Sequence, residues 1–440
     1  MGCIRVGVGH IIMSLSKNYP VSRKHGVAGR TVMPGRGPWS KALCAGLVLA
    51  AASSLHAQMW IRESTVMPDS VTGGGMHDGE GGTLTFTNAI YGGLEYNDNA
   101  TLSESGAGGL ALRAGFATGI RYPVSRSNEL KFDVSVERLT YLSGVDGTED
   151  YNSLLPGSET TFTIYAGPVR VRNFLRAELT EDPVETPVVN NTARFGRFNG
   201  YLGTQLDWDM NRVIWQLTGS VGRQFATESS NSQIDYWTYG LGLRAVFPLG
   251  PSTSCGVSVS EAITLYDLSI QNESETRTFG VFGQTALSRK IGLDAAVGIQ
   301  TTNYDDSGSI LDQDDYAGLY GSVGLSHQLQ KNFSYALRLR HDIDEGYGTN
   351  FYQITEITLT PKISSVYRWE IVVPLSWQWV DVSGPTGDTF TRAGIGVEAR
   401  RPLGRKLDLS VGASRYEKFT DAPGASYAQN RVYFSVRYNF

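Results

Sequence analysis

From residue 83 onward, apolar side chains fall at every second position in segments that recur about every 20 residues. Period-two alternation describes strands with one greasy face and one wet face. Leu110, Leu112, Ala114, Phe116, Ile120 and Tyr122 form one stripe, with Arg113 and Arg121 opposite. The next sets Leu130, Phe132, Val134 and Val136 against Lys131, Asp133, Ser135 and Glu137. Further stripes occupy 239–247, 291–299 and 333–339, and the longest runs from Tyr367 to Trp379. No long stretch keeps a 3.6-residue period. The segment 431–440 alternates Val432, Phe434, Val436, Tyr438 and Phe440 with Tyr433, Ser435, Arg437 and Asn439. Such a strand, ending on an aromatic, suits the closing strand of a membrane barrel, whose outer face meets lipid and whose edges must pair. It also has the form of a C-terminal assembly signal.

The connections alternate in length. Short ones fall near 123–127, 166–168, 209–212, 248–254, 288–290, 329–331, 364–366 and 402–406. Long ones fall near 98–108, 144–157, 180–195, 224–233, 270–275, 305–314, 345–349, 382–388 and 420–426. The alternation holds only if Gly167-Pro168 is a turn. The fold class expected is all-β: a transmembrane antiparallel up-and-down barrel of about 18 strands (16 as the alternative), with both termini periplasmic. A soluble β-sandwich would have to hide aromatic-rich stripes from every strand inside one core. The stripe slips at Arg138-Leu139 and at Glu356-Ile357, which predicts a β-bulge at each. Pro374 cannot donate to a ladder and predicts a third.

Upstream, an apolar run follows Lys41 and ends at Leu55-His56-Ala57, a secretory leader over 1–57 with Met33 as an alternative start. Residues 58–82 form a Gly-rich periplasmic lead-in, and 83–440 the barrel. Without the seven basic residues before position 58, 31 Lys and Arg face 43 Asp and Glu, a balance of −12. That argues against a nucleic-acid partner. Cys255 remains as the one cysteine after the leader, so no intrachain disulfide forms.

Chemistry-bearing residues are sparse. Beyond the leader the histidines are His77, His327 and His341, and neither Ser326-His327 nor His341-Asp342 makes a nucleophile–base pair by itself. The reading is no enzyme, no cofactor and no metal site. Strand parity instead points a set of charges inward as pore-lining candidates: Arg113, Arg121, Arg170, Arg172, Arg176, Arg197, Arg338, Arg340, Glu398 and Arg400. Two outcomes are open for them. They pair across strands, or an Arg ladder at 170, 172 and 176 biases passage toward anions. Acids gather in the loops at Asp146, Glu149 and Asp150 and at Asp305, Asp306, Asp312, Asp314 and Asp315, either as a solvated rim or as divalent-ion bridges to surface polysaccharide.

The stretch Tyr91-Gly92-Gly93-Leu94-Glu95-Tyr96-Asn97-Asp98-Asn99, followed by Leu102-Ser103, resembles the first strand and loop of a β-barrel porin family. Gly167-Pro168-Val169-Arg170 and Glu181-Asp182-Pro183 are similar to its next landmarks. Its members often accompany exopolysaccharide export genes. The resemblance implies an outer-membrane barrel and transfers neither substrate nor catalytic residues. The expected function is a porin-like channel for small hydrophilic solutes, with exopolysaccharide export or surface anchoring as the alternative. Expected partners are outer-membrane lipid, lipopolysaccharide and the barrel assembly machinery, with polysaccharide or small solutes as cargo.

Overall fold

The computed structural model describes residues 84–440 apart from 101, 103, 105, 126–127, 143–149, 181–195, 347, 365–366 and 386–388. The leader and lead-in (1–57 and 58–82, with His77), Asp146, Glu149 and the Glu181-Asp182-Pro183 landmark lie outside the described residues. The strand segments are β1 (Thr85–Asn97), β2 (Gly109–Ser125), β3 (Asn128–Tyr141), β4 (Tyr151–Leu154), β5 (Glu159–Ala166), β6 (Val169–Thr180) and β7 (Arg197–Asp209). They continue with β8 (Ile214–Ala226), β9 (Tyr236–Gly250), β10 (Thr253–Tyr266), β11 (Ser274–Ser288), β12 (Ile291–Tyr304), β13 (Tyr316–Gln330) and β14 (Phe333–Glu345). The last are β15 (Phe351–Ser364), β16 (Glu370–Val372), β17 (Leu375–Val382), β18 (Thr389–Pro402), β19 (Leu407–Thr420) and β20 (Tyr427–Asn439).

These 20 segments make 18 spans. Both β4 and β5 pair with β3 and with β6, so they are one interrupted span. The same holds for β16 and β17 between β15 and β18. Every span lies antiparallel to its sequence neighbour, and β1 pairs with β20 to close the wall. Gly167 sits at φ 60° in the turn between β5 and β6, a left-handed conformation that glycine enters without steric cost. That turn separates β5 and β6 into two spans. One rim carries the short turns together with the start of β1 and the end of β20; the other carries the long loops.

Outer and inner faces separate by parity. Leu202, Phe279 and Leu319 are 60%, 59% and 63% exposed on the outer face. A continuous exposed apolar band of this kind is stable in lipid, not in water. Aromatics edge the band: Trp208 faces Trp215 at the turn end of β7 and β8, and Trp237 lies at the loop end of β9 beneath the Arg223 guanidinium. Val432, Phe434, Val436 and Tyr438 share the outer face of β20, and Phe440, just past its end, donates its N–H to the Asn88 carbonyl at 3.0 Å. Cys255 lies on the outer face of β10 as a free thiol.

The seam between β1 and β20 is reinforced beyond its ladder. Gln429 donates to the Asn99 carbonyl at 2.9 Å, and Asn430 donates its backbone and side-chain N–H groups to Asp98 at 2.6 Å. On the inner face, Glu95 of β1 bridges Arg113 of β2 at 2.6 Å and Arg431 of β20 at 3.0 Å. Arg113 reaches on to Glu137 of β3 at 3.0 Å. Four strands are thus tied by alternating charges around the closure.

Three expectations fail here. The register runs unbroken through Arg138 and Leu139 and through Glu356 and Ile357, with no bulge at either. Leu139 points inward and packs with Ala111 and Tyr151, while Tyr352 and Ile354 pack inside with Val380 and Phe390. The stripe does not slip; near the loop rim the inner wall becomes apolar as well. At Pro374 the ladder loses a donor, but β16 and β17 keep one common register against β15 and β18, so no bulge forms there.

Glu95 has a side chain only 5% exposed, and its loss leaves Arg113 and Arg431 without their shared anion. We expect Glu95→Ala to cost about 3 kcal/mol. On a detergent gel the unboiled, compact band should convert to the unfolded band at a lower temperature than in the parent. An unchanged conversion temperature would refute the charged seam as a structural tie.

Candidate functional site on the inner wall

All ten charged candidates occupy inward positions, but they do not form one ladder. Arg170 is held by Asp207 of β7, with its Nε donating at 2.8 Å. Arg172 and Arg176, both of β6, share Glu159 of β5, the second at 2.5 Å through Nε. Arg176 also lies over the Phe174 ring at 4.9 Å. Arg340 pairs with Asp344 at 3.2 Å and Asp342 at 3.5 Å on its own strand. Arg400 approaches Asp408 at 3.8 Å, and Glu398 accepts a hydrogen bond from Tyr433. Arg113 belongs to the seam. Arg121 stands exposed at the turn end of β2, Arg338 lies in register with Gly324 and Thr358, and Arg197 lies in register with Thr180 and Ala226. The structure therefore brings Arg172 and Arg176 together through one carboxylate and scatters the rest around the wall.

The reason for the pairing is physical. An arginine on a half-buried wall keeps its charge cheaply only when a carboxylate lies within a few ångströms. The β5–β7 wall supplies Glu159 and Asp207 for three arginines, so the cationic ladder is mostly compensated.

Two features were not expected from alternation. Glu345, the last residue of β14, accepts a hydrogen bond from Thr264 of β10 at 3.1 Å, although three spans separate the two strands. Tyr236 of β9 stands beside the same carboxylate. Strictly alternating parity would send Glu345 outward with Leu339; the end of the strand turns it toward Thr264. The signal in sequence is weak: a carboxylate one residue before the glycine-flanked 346–348.

The second feature is a knot of loops. Asp312, 3% exposed, accepts hydrogen bonds from the Asn350 N–H at 2.7 Å, the Thr349 hydroxyl at 2.8 Å and the Ser383 hydroxyl at 2.5 Å. Asn272 adds a fourth loop by donating to the Asp312 carbonyl at 2.8 Å and to Asn350 at 3.0 Å. Gly384 lies at φ 89°, where a Cβ would meet the Asp312 carboxyl carbon at 2.8 Å. This acid is therefore not part of a solvated rim. Burial alone would raise its pKa, but the hydrogen bonds from Asn350, Ser383, Asp314 and Thr349 outweigh it and hold the carboxyl below the ordinary Asp value.

The two described histidines each meet a hydroxyl. His327 meets the Tyr335 hydroxyl at 3.1 Å. His341 meets the Thr355 hydroxyl at 2.7 Å and Gln353 at 3.3 Å on the outer face. Ladders run on both sides of β15 and engage the backbone N–H groups that an oxyanion would need. Among the described residues no group of three or more His, Cys, Asp or Glu is placed to hold a metal ion.

No protein-family model and no curated protein matches the chain. Among solved structures it is similar to Pseudomonas aeruginosa OpdK, crystallised with vanillate, at 8% identity and TM-score 0.48, over 81% of this chain and 99% of that one. Acinetobacter baumannii OccAB3 is similar at 10% identity and TM-score 0.46, over 81% and 99%. Pseudomonas aeruginosa OprD is similar at 12% identity and TM-score 0.45, over 81% and 95%. These likenesses lend this chain no residue roles.

A carboxyl held low in the folded protein contributes stability above its ordinary pKa, and that contribution is lost as pH falls through the lowered value. The loop knot should stay tied at neutral pH and loosen below the ordinary Asp range near ~3.9. Hydrogen exchange at 305–315 and 346–350 should speed up in acid. Asp312→Asn should show the faster exchange already at neutral pH, and equal exchange in parent and variant at both pH values would contradict this.

Proposed function

We propose that the chain is an outer-membrane, porin-like channel for passive passage of small hydrophilic solutes. The observation that carries this reading is a closed wall of eighteen spans with a lipid-compatible outer face and a polar inner face. Barrels of ~16–18 strands are too wide for side chains alone to fill and keep aqueous channels. Toward the turn rim lies a cavity of about 720 Å³, lined in part by Ser288, Ser326, Lys362, Glu370, Glu398 and Arg400. The inward charges then border the passage. Because most have partners, the wall supplies weak selectivity, and the compensated arginines at 170, 172 and 176 add little anion bias.

In this reading the long loops face the exterior and the short turns and both chain ends face the periplasm. Lipid and lipopolysaccharide surround the band, and the assembly machinery engages the β20 stripe before the seam closes. Export of exopolysaccharide rests on the motif resemblance alone. Its Asn97, Asp98 and Asn99 sit at the loop end of the seam, where Asp98 and Asn99 bond to β20, so the seam already accounts for them.

Purified, folded protein should conduct in planar bilayers and admit small sugars into liposomes. Glu345→Ala should raise single-channel conductance by removing the bridge to Thr264. Correctly folded protein that neither conducts nor admits sugars would overturn the channel reading.

A further inference from the structure

The charges of this barrel are sorted along its axis. The described turn residues between spans carry seven Lys and Arg side chains and no Asp or Glu. The described loop residues at the opposite rim carry thirteen Asp and Glu and no Lys or Arg. Between them the strands are balanced, with 21 cationic side chains against 20 anionic ones. Part of this balance is made by direct pairing, since Arg113, Arg170, Arg172, Arg176 and Arg340 each have a carboxylate in contact. The field along the axis therefore comes from the two ends. At the cationic end, Arg289, Lys290, Arg368, Arg405 and Lys406 are exposed. Arg289 and Lys290 also border the 720 Å³ cavity and so stand at the mouth itself.

The two rims do not cancel each other. A span of 13 residues rises roughly 33 Å at ~3.3 Å per residue and a tilt of ~40°. The Debye length is only ~8 Å at physiological ionic strength. Each mouth thus fixes the ions at its own entrance: anions concentrate at the turn rim and cations at the loop rim.

We infer that the channel is electrically bipolar, drawing anionic solutes in from the turn side and cations from the loop side, and that it rectifies ionic current. This rests on the channel reading and deepens it. When the loop side is positive, cations move in through the mouth that concentrates them, and anions do the same from the other end. Both carriers fill the lumen and conductance is high. With the polarity reversed, each ion has to pass in through the mouth that repels it, and the lumen is depleted. A small phosphate or carboxylate in the periplasm belongs to the class of solute that the turn rim captures.

The test is current against voltage for single insertions, with orientation assigned by Ser309→Cys and a bulky thiol reagent added to one chamber. In ~0.05 M KCl the loop-positive current should exceed the loop-negative current by at least about 1.5-fold, and the ratio should approach one in 1 M KCl, where the Debye length is ~3 Å. The quadruple variant Arg289→Gln, Lys290→Gln, Arg405→Gln, Lys406→Gln should lose most of the rectification while keeping its conductance in 1 M salt. A conducting channel with symmetric current at low salt would overturn the inference and leave the channel reading standing. A silent bilayer would overturn the channel reading instead. The capture of anions is then judged by calorimetry with inorganic tripolyphosphate in detergent at low salt. The parent should bind, the quadruple variant should bind several-fold more weakly, and no difference between them would overturn the inference.

Discussion

Within lipid no water is available to satisfy a backbone N–H or C=O, so a spanning sheet is stable only when it has no free edge. For this chain that requirement falls on one pairing, β1 with β20. Everything else follows from closing there. An even number of spans puts the start of β1 and the end of β20 on one rim. Continuous registers around the ring then fix which side chains meet lipid and which meet the lumen. The seam joins distant parts of the chain, with Asn99 and Gln429 in contact across 330 positions. It is also where the chain concentrates side-chain ties, from the amide contacts of Asn430 and Gln429 to the alternating row Arg431, Glu95, Arg113 and Glu137. A slip of one residue would turn Phe434 into the lumen, and a slip of two would part Arg431 from Glu95.

The inner wall obeys a second constraint. Charges there are wet enough to persist and buried enough to need partners. The β5–β7 sector and the seam meet it with ion pairs across strands, and β14 meets it along a single strand through Arg340, Asp342 and Asp344. Such pairs contribute modestly to stability, because desolvation offsets much of their attraction, but breaking one strands a charge. The wall is therefore polar, mutually compensated and poor in free fixed charge.

Much of this was legible from alternation. Stripes such as 291–299 and 333–339 located spans, and the alternating connection lengths gave the count. Alternation failed where its assumption failed. It takes the apolar face to be the lipid face, so Leu139, Tyr352 and Ile354, which are apolar and inward, read as slips in phase. Pro374 read as a bulge because a missing donor was equated with a missing register position, and a neighbouring strand can hold register without that bond. Glu345 escaped because parity loosens where a strand gives way to its loop. The loop donors to the Asp312 carboxylate lie 37 to 71 residues away in sequence, and no local pattern records such contacts.

Asp312 also changes how the loop rim can diversify. Surface loops ordinarily drift independently, since each is anchored only by the strands that flank it. Here 305–315, 346–350 and the residues after β17 meet at one carboxylate, and 267–273 joins them through Asn272. An insertion in any one of them displaces donors belonging to the others. Variation at this face should therefore arrive in correlated sets, with residues 312, 349, 350, 383 and 384 inherited as a block. The loop at 421–426, outside the knot, is left as freer ground for change.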